Sequence, residues 1–218
     1  MRFPSNSHLR ADQHTLKGQS IKDKERNKIT IKTLLLFSFN LHETIPDIGE
    51  GISTEMQFIT DESFFTTKNS LNRNALNTDI SKNRFRKGDF CCVSIYNNEI
   101  VSYCWIALQR AYIGEIDKNI HMKSNEMYMY DAFTKPEFRG NNLFPSILTT
   151  ILHFGRQKGY QKGLIFTLSS NNSSITAIKK AGFNRFQSVY FLDVNTKTRC
   201  RYGKTRDGET SIEDRLAQ

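Results

Sequence analysis

Apolar residues along the chain fall into short runs whose spacing is typical of strands in some places and of helices in others. Residues 29–39 form a β-branched and aromatic run, which predicts a buried first strand. Phe90–Tyr96 and Ile100–Leu108 alternate in polarity on either side of Asn97-Asn98, a pair that favours a tight turn. These two segments therefore predict an antiparallel hairpin.

The region between the first strand and the hairpin has a weaker pattern. Met56–Ile59 predicts a short strand, and 64–76 predicts one or two short helices with Asp61 as the N-cap. After the hairpin, Arg110–Asn125 is polar and is expected to be an irregular excursion. Glu126–Phe133 predicts a further strand that ends before a proline.

The second half of the chain alternates helix and strand patterns. Asn142–Gly159 carries apolar residues at the spacing of one buried helical face, and Pro145 falls in its first turn, where the missing N–H costs no helical bond. Its predicted cap is Asn141 or Asn142. The elements that follow are a strand at Gly163–Leu168, a helix at Ser173–Ala181 capped by Asn171 or Asn172, and a last strand at Phe186–Val194.

This order predicts an α/β (α+β) fold with a mixed, mostly antiparallel central sheet and helices on both faces. The strands that flank the first long helix are expected to be parallel and to form one β-α-β unit. One domain is predicted at 28–195, between a flexible basic extension at 1–27 and a polar tail at 196–218. The last strand is expected either to pair with its copy across a homodimer or to be covered by the tail.

Charge and composition narrow the function classes. Residues 1–32 hold eight Lys/Arg against three Asp/Glu, whereas residues 33–193 are almost neutral. We therefore expect no nucleic-acid partner; a nucleic-acid adaptor would have to bind through the N-terminal segment alone. No apolar run is long enough for a membrane span or a secretory signal, which predicts a cytoplasmic protein. The four cysteines form no C-x-x-C pair and indicate neither a disulfide framework nor a metal site.

The junction from Tyr130 to Phe144 carries the candidate chemistry. There a predicted strand runs through a Gly-containing turn into the start of the long helix. Such a turn directs unpaired backbone N–H groups and the positive end of the helix dipole to one point, where a phosphate is attracted.

Two motifs in this order resemble those of the GNAT N-acetyltransferase superfamily. Its phosphate motif, P-x-x-R-G-x-G-x-G, is similar to the segment Pro136-Glu137-Phe138-Arg139-Gly140-Asn141-Asn142-Leu143-Phe144. A second family element is similar to Asn171-Asn172-Ser173-Ser174 followed by Gly182-Phe183. The resemblance covers about Phe90 to Val194 and implies a GNAT-like acyltransferase domain. The R-G-N-N-L-F-P helix start is similar to a variant linked to polysaccharide or amino-sugar modification.

The resemblance implies acetyl-CoA as the acyl donor and a primary amine, such as an amino sugar or a polysaccharide precursor, as a small-molecule acceptor. The amine would attack the thioester directly in a ternary complex, with no metal, and a backbone N–H of the fourth family strand would stabilise the oxyanion. The implied cofactor-binding residues are Ala132, Phe133, Thr134, Arg139, Gly140, Asn141, Asn142, Leu143, Phe144, Asn171 and Ser174.

The chain departs from the family pattern at three positions. Asn142 and Phe144 replace motif glycines, although Asn tolerates left-handed backbone and can cap a helix. Ile178 stands where many members carry the tyrosine that protonates the departing thiolate. Tyr130 is a substitute candidate for this acid. These departures also motivate an alternative, a non-catalytic acyl-CoA-binding module.

The attacking amine must be neutral, so a base has to accept its proton. Asp131 is the predicted base because it lies on the strand expected to face the thioester. Glu126 and His121 are weaker alternatives. The cysteines on the hairpin strands are interpreted as small core residues rather than nucleophiles.

Overall fold

The computed structural model describes residues 30–65, 76, 79–194 and 197–216. The predicted basic extension at 1–27 lies outside these residues. The strands are β1 (Thr30–Asn40), β2 (Glu55–Ile59), β3 (Phe90–Tyr96), β4 (Glu99–Ala107), β5 (Arg110–Ile113), β6 (Lys118–His121), β7 (Glu126–Thr134), β8 (Lys162–Leu168), β9 (Asn184–Val194) and β10 (Lys197–Tyr202). The helices are α1 (Asp79–Arg86), α2 (Leu143–Gln157) and α3 (Asn172–Lys180), with single 3-10 turns at Glu62–Phe65, Pro136–Phe138 and Glu213–Arg215.

Eight strands form one sheet in the order β10-β9-β1-β8-β7-β4-β3-β2, and β5 and β6 form a separate hairpin. Only the β7–β8 pair among the described strands of the sheet is parallel, and α2 connects its two strands. The β3–β4 hairpin turns at Asn97 and Asn98, whose φ values of 46° and 62° are those of a type I′ turn. The predicted mixed sheet, its parallel unit and the hairpin are therefore confirmed.

The parallel pair is short and then divides. β7 pairs with β8 over Glu126–Met129 and then continues to Thr134 along β4 alone. The β4–β7 register shifts between Tyr103 and Trp105, and Asp131 on the bulged strand has a φ of 44°. Beyond Met129 and Ile165, β7 and β8 are no longer paired with each other, which leaves a gap in the ladder in the middle of the sheet.

Each face of the sheet has its own core and its own covering elements. α2 and α3 cover one face through a cluster that includes Ile147, Ile151 and Ile178. On the other face, α1 packs through Phe85 against Trp105, and the β5–β6 hairpin covers the neighbouring strands. Helices thus lie on both faces, as predicted. None of the helices in the described residues is long and apolar enough to span a membrane.

Two segments outside the predicted strands and helices are folded. The expected excursion at 110–125 is the β5–β6 hairpin, which buries Ile113, Ile116 and Ile120. These single isoleucines, spaced among charged residues, make too short an alternation to stand out in the sequence.

The expected polar tail supplies β10, which pairs with β9. The predicted last strand, Phe186–Val194, lies within β9 and is therefore not the final strand. Ile212 is fully buried, and Arg215 forms a buried ion pair with Glu126. Of the two expectations for β9, the structure therefore shows the one in which the C-terminal segment covers it.

The segment before β3 was predicted less well. Within the predicted 64–76 helical region, the structure describes only the end of the Glu62–Phe65 turn and Leu76; the rest lies outside the described residues. Asp61 does accept a hydrogen bond at 2.8 Å from the backbone N–H of Ser63. Helix α1 was not predicted, because its eight residues are mostly polar and carry one buried residue, Ser81.

Candidate active site

The first of two clefts, the α2 cleft, lies where β7 ends and α2 and α3 begin, and has a volume of about 700 Å³. It contains ten of the eleven residues predicted to bind the acyl donor: Ala132, Phe133, Thr134, Arg139, Gly140, Asn142, Leu143, Phe144, Asn171 and Ser174. The structure thus brings the two sequence motifs, which are about thirty residues apart, to one surface.

The loop before α2 presents unpaired backbone donors. Gly140 has a φ of 82° and Asn142 a φ of 59°, so the chain enters the helix through two left-handed residues. Among the described residues, the N–H groups of Asn142, Leu143 and Phe144 have no hydrogen-bond partner. These donors and the helix dipole make this end of α2 attractive to an anion.

Asn142 replaces a motif glycine and keeps the left-handed backbone that the glycine would allow. Its side chain does not cap α2, contrary to one of the sequence expectations. Instead, its Oδ1 accepts a hydrogen bond at 2.8 Å from Nζ of Lys180, and its Nδ2 donates one at 3.1 Å to the carbonyl of Glu50. Asn142 therefore connects the loop to α3 and to the segment before β2.

Two other loop residues have different surroundings. Phe144, the second replacement, packs partly against the α2 side of the core while it lines the cleft. Asn141 is the predicted binding residue that does not line the cleft. Its side chain donates to the carbonyl of Phe138 at 3.3 Å, and its own carbonyl faces Gly51, where a Cβ would lie only 2.6 Å away.

The start of α3 closes the α2 cleft. Asn171 caps this helix by accepting a hydrogen bond at 3.2 Å from the N–H of Ser174, which confirms one of the two predicted caps. Further along α3, Ile178 is 1% exposed and belongs to the core. The position at which many family members carry a tyrosine is therefore a packing position in this chain.

The second cleft lies on the opposite face of the sheet and has a volume of about 880 Å³. We call it the tyrosine cleft; its lining includes Arg84, Lys87, Asp89, Arg110, Tyr112, Glu115, Tyr128, Tyr130, Asp131 and Phe166. The ring centroids of Tyr128 and Phe166 are 4.7 Å apart across β7 and β8, and Tyr128 stacks on Tyr130 at 5.7 Å. Three aromatic rings thus form one wall.

Tyr130 donates a hydrogen bond from its hydroxyl to Oδ2 of Asp89 at 2.6 Å. Burial, together with the Asp89 carboxylate, raises the pKa of Tyr130 well above its usual value. A tyrosine held in this way is a weaker acid than an unperturbed one, and its proton is directed at Asp89. The surroundings of Tyr130 thus do not support the prediction that it replaces the missing family tyrosine as the acid.

Asp131 forms an ion pair with Nη1 of Arg84. The Arg84 guanidinium lies 4.9 Å from the ring centroid of Trp105 and 5.0 Å from that of Tyr130. A planar cation between two rings gains from cation–π contacts as well as from the carboxylate. The predicted base therefore lies in the tyrosine cleft, but its carboxylate is engaged by an arginine.

The weaker alternatives are placed elsewhere. Glu126 accepts hydrogen bonds from both terminal nitrogens of buried Arg215, and it lines neither of the two clefts. His121 is exposed on β6. Cys91, Cys92 and Cys104 are fully buried, and burial raises the pKa of Cys92 to about 12, so the interpretation as core residues is confirmed.

Sequence reasoning missed Arg84, Asp89 and Lys180. Lys180 precedes the recognised Gly182-Phe183 pair, yet nothing in a lysine near a helix end distinguishes a binding residue from a solvated one. The sequence offered a weak indication for Asp89, because a carboxylate stands directly before the apolar strand β3. The structure shows Asp89 only 6% exposed, and burial of a carboxylate requires a compensating interaction.

The donor set of the α2 cleft fits a diphosphate-containing ligand such as CoA. Free backbone N–H groups, the helix dipole and the cations Arg139 and Lys180 lie at one end of the cleft, and Phe133 and Phe144 supply apolar surface. Among the described residues, no cluster of three or more His, Cys, Asp or Glu side chains could hold a metal ion.

Comparison with known proteins agrees with this architecture. The model of the acetyltransferase (GNAT) family matches residues 55–183, more than half of the chain, and the chain therefore belongs to this family. No match was found among the curated proteins.

A similar solved structure is a GCN5-related N-acetyltransferase from Sphaerobacter thermophilus, with 9% identity and a TM-score of 0.52 over 83% of this chain and 55% of that one. Another is a GNAT-family acetyltransferase from Colwellia psychrerythraea, with 11% identity and a TM-score of 0.48 over 82% and 57%. The chain thus spans little more than half the length of these proteins. At such low identity, the first likeness shows the fold alone.

Proposed function

We propose that the protein transfers an acetyl group from acetyl-CoA to a primary amine, and that both substrates are bound at the same time on opposite faces of the sheet. One observation carries this proposal: the neighbouring residues Asp131 and Ala132 line different clefts. The two clefts therefore meet at the bulge of β7, where the strand has left β8 and the sheet is open.

The α2 cleft is the proposed site of the donor. The pyrophosphate binds the free N–H groups at the start of α2, and Arg139 and Lys180 contribute positive charge. Arg139 also donates a hydrogen bond at 3.1 Å to the carbonyl of Thr134, which ties the loop to the end of β7. A donor held at this end can extend its acyl arm along Thr134, Phe133 and Ala132 toward the bulge.

Beyond Met129, the edge of β7 that faces β8 has no ladder partner among the described strands. Its backbone N–H groups, at Ala132 or Phe133, are the proposed donors to the oxyanion that forms when the amine attacks. With Ile178 in place of the family tyrosine, the sulfur leaves as a thiolate. A thiol pKa of about 8.5 makes it a far better leaving group than an alkoxide, so transfer proceeds without a dedicated acid.

The proposed acceptor class is an amino sugar or a related polysaccharide precursor. The aromatic wall of Tyr128, Tyr130 and Phe166 offers flat apolar surface to a ring, and the carboxylates of Asp89 and Glu115 offer acceptors to hydroxyl and ammonium groups. Such a mixture of rings and carboxylates suits a polar cyclic amine better than an aliphatic one.

A second candidate, acyl-CoA binding without turnover, is favoured by one observation. Ile178 is a core residue, so the chain carries no hydroxyl at the position of the family acid. This alternative predicts an intact donor site and no acetylated product.

The donor site is tested by calorimetric titration with acetyl-CoA. The Kd of the wild type is compared with the Kd of two variants at position 142. Asn142→Asp places a carboxylate beside the proposed pyrophosphate and should raise Kd at least tenfold, about 1.4 kcal/mol. Asn142→Gly keeps the left-handed backbone and should keep Kd within about threefold. Equal affinity for all three proteins would contradict the proposed donor site.

Turnover is then measured as CoA thiol release with glucosamine, and N-acetylglucosamine serves as the blocked control. Thiol release that requires the free amine supports the enzyme. Binding of acetyl-CoA without release for glucosamine, lysine or spermidine would favour the binding module instead.

A further inference from the structure

We infer that Asp89 is the catalytic residue that binds the ammonium group of the acceptor and takes its proton. This inference rests on the proposed amine acetylation. It assigns the base to a residue outside both family motifs, on the loop between α1 and β3.

Asp89 is held so that one carboxylate oxygen is used and the other is available. Its backbone N–H donates to the carbonyl of Arg84 at 3.0 Å, and its Oδ2 accepts from the Tyr130 hydroxyl. Oδ1 has no hydrogen-bond partner among the described residues. It is not one of their buried atoms without a partner, so it is accessible from outside. Since Asp89 lines the tyrosine cleft, Oδ1 is the oxygen left to bind an acceptor in that cleft.

The other carboxylates near the aromatic wall are less suited to this role. Asp131 is neutralised by Arg84, and Glu126 by Arg215. Glu115 is an exposed residue of the β5–β6 turn, where solvent screens its charge. Asp89 therefore combines burial, a fixed orientation and a free oxygen.

The surroundings of Asp89 also suit proton transfer from an amine. Burial raises its pKa, while the hydrogen bond from Tyr130 and the charges of Lys87 and Arg84 act in the opposite direction. These three side chains come from β7, from the turn after α1 and from α1 itself. A base with a raised pKa is better matched to an ammonium group, and the bound cation in turn stabilises the carboxylate.

Acyl transfer begins when the acceptor ammonium loses a proton. One ammonium N–H bond breaks and its proton passes to an Asp89 carboxylate oxygen, which leaves the lone pair on nitrogen. This pair forms the C–N bond with the thioester carbonyl carbon, and the C–S bond then breaks with both electrons on sulfur. The second nitrogen proton ends on the sulfur, and Asp89 returns its proton to solvent.

The first test is the kinetics of Asp89→Asn. The substrate is whichever of glucosamine, lysine and spermidine the wild type acetylates fastest. We expect kcat/KM at pH 7 to fall about 10²- to 10⁴-fold, with a smaller loss near pH 10, and Kd for acetyl-CoA to stay within twofold. Glu43→Gln, which removes a charge from an exposed residue that lines neither cleft, should change kcat/KM less than threefold.

Tyr130→Phe gives a readout that a structural role would not move. Without the hydroxyl, the carboxylate loses a stabilising hydrogen bond, so the acidic limb of the kcat/KM profile should shift to higher pH. In Asp89→Asn this limb should disappear. A loss of equal size at every pH, or an Asp89→Asn variant within threefold of wild type, would overturn the inference.

A measurement without turnover separates this inference from the proposed function. In protein labelled with ¹³C at the aspartate carboxyls and saturated with CoA, the Asp89 resonance is the one missing from Asp89→Asn. It should shift saturably with at least one of the three amines and not with N-acetylglucosamine. If the wild type acetylates none of them, the proposed function fails, and the absence of a shift with all three would overturn the role of Asp89 as well.

Discussion

The α2 cleft and the tyrosine cleft lie back to back on β7 but are built from different parts of the chain. The first is made largely of backbone: one loop with two left-handed residues and the starts of two helices, all between 132 and 180. The second is made of side chains that come from α1, the β5–β6 hairpin, β7 and β8. The proposed donor site is therefore local in sequence, whereas the proposed acceptor site exists only after the sheet has formed.

This difference has a chemical reason. Every acyl-CoA donor carries the same diphosphate, which backbone N–H groups and a helix dipole recognise with little help from side chains. Acceptors differ in ring, charge and size, and only side chains can distinguish them. Substitutions in the two clefts should thus have separable effects, on donor affinity in one and on turnover in the other.

The largest expected effect on donor affinity is that of Gly140→Val. A β-branched residue is strained at a φ of 82°, so the loop should rearrange and acetyl-CoA affinity should fall about 100-fold in calorimetry. Gly208→Val is the matched control, because Gly208 has a φ of 78° and open space around its Cα but lies in the C-terminal segment. Both variants should unfold at a lower temperature; equal Kd values would contradict the role of the loop.

Asp131→Asn should act on turnover alone. Asparagine tolerates the left-handed backbone at this position, but it cannot hold Arg84 between Trp105 and Tyr130 by charge. We expect kcat/KM to fall about tenfold through misplacement of the tyrosine wall, with Kd for acetyl-CoA unchanged. Asp117→Asn, at another aspartate with positive φ (51°), should change neither quantity by more than twofold. A rise in Kd for Asp131→Asn would show that the two clefts are not separable.

Lys180→Met should weaken donor binding moderately. The change removes the hydrogen bond to Asn142 and one positive charge from the α2 cleft, so Kd should rise about threefold to tenfold, the equivalent of about 1 kcal/mol. The difference from wild type should shrink at high salt. Lys179→Met removes the same charge from a neighbouring residue that does not line the cleft and should have little effect.

The smallest expected effect is a gain in stability for Asp89→Asn. Burial raises the folded-state pKa of Asp89, so the carboxylate destabilises the fold above that pKa, and this cost disappears as pH falls through it. The variant should therefore unfold a few degrees higher than wild type at pH 8, and by less at low pH. A lower unfolding temperature at pH 8 would contradict this explanation, and thermal unfolding monitored by circular dichroism measures it.

Much of the fold followed from local patterns, because they reflect forces that act over a few residues. The apolar face of α2, the Asn97-Asn98 turn and the alternation of β3 and β4 each depend on neighbours within one or two turns of chain. The segments that were predicted wrongly depend on distant partners. The β5–β6 hairpin buries three isoleucines against the sheet, and β10 is a strand because it pairs with the edge of β9.

Local sequence patterns predicted the central hairpin, the parallel β-α-β unit and the loop proposed to bind a diphosphate, since turn residues, caps and helix periodicity act over a few residues. Which side chains meet at the gap between β7 and β8 depends on how distant elements pack together. Asp89 and Tyr130 are 41 residues apart and share a hydrogen bond only because α1, which precedes Asp89, packs on the face of the sheet that carries the Tyr130 side chain. Long-range contacts of this kind depend on how the elements are packed, and no spacing along the chain records them.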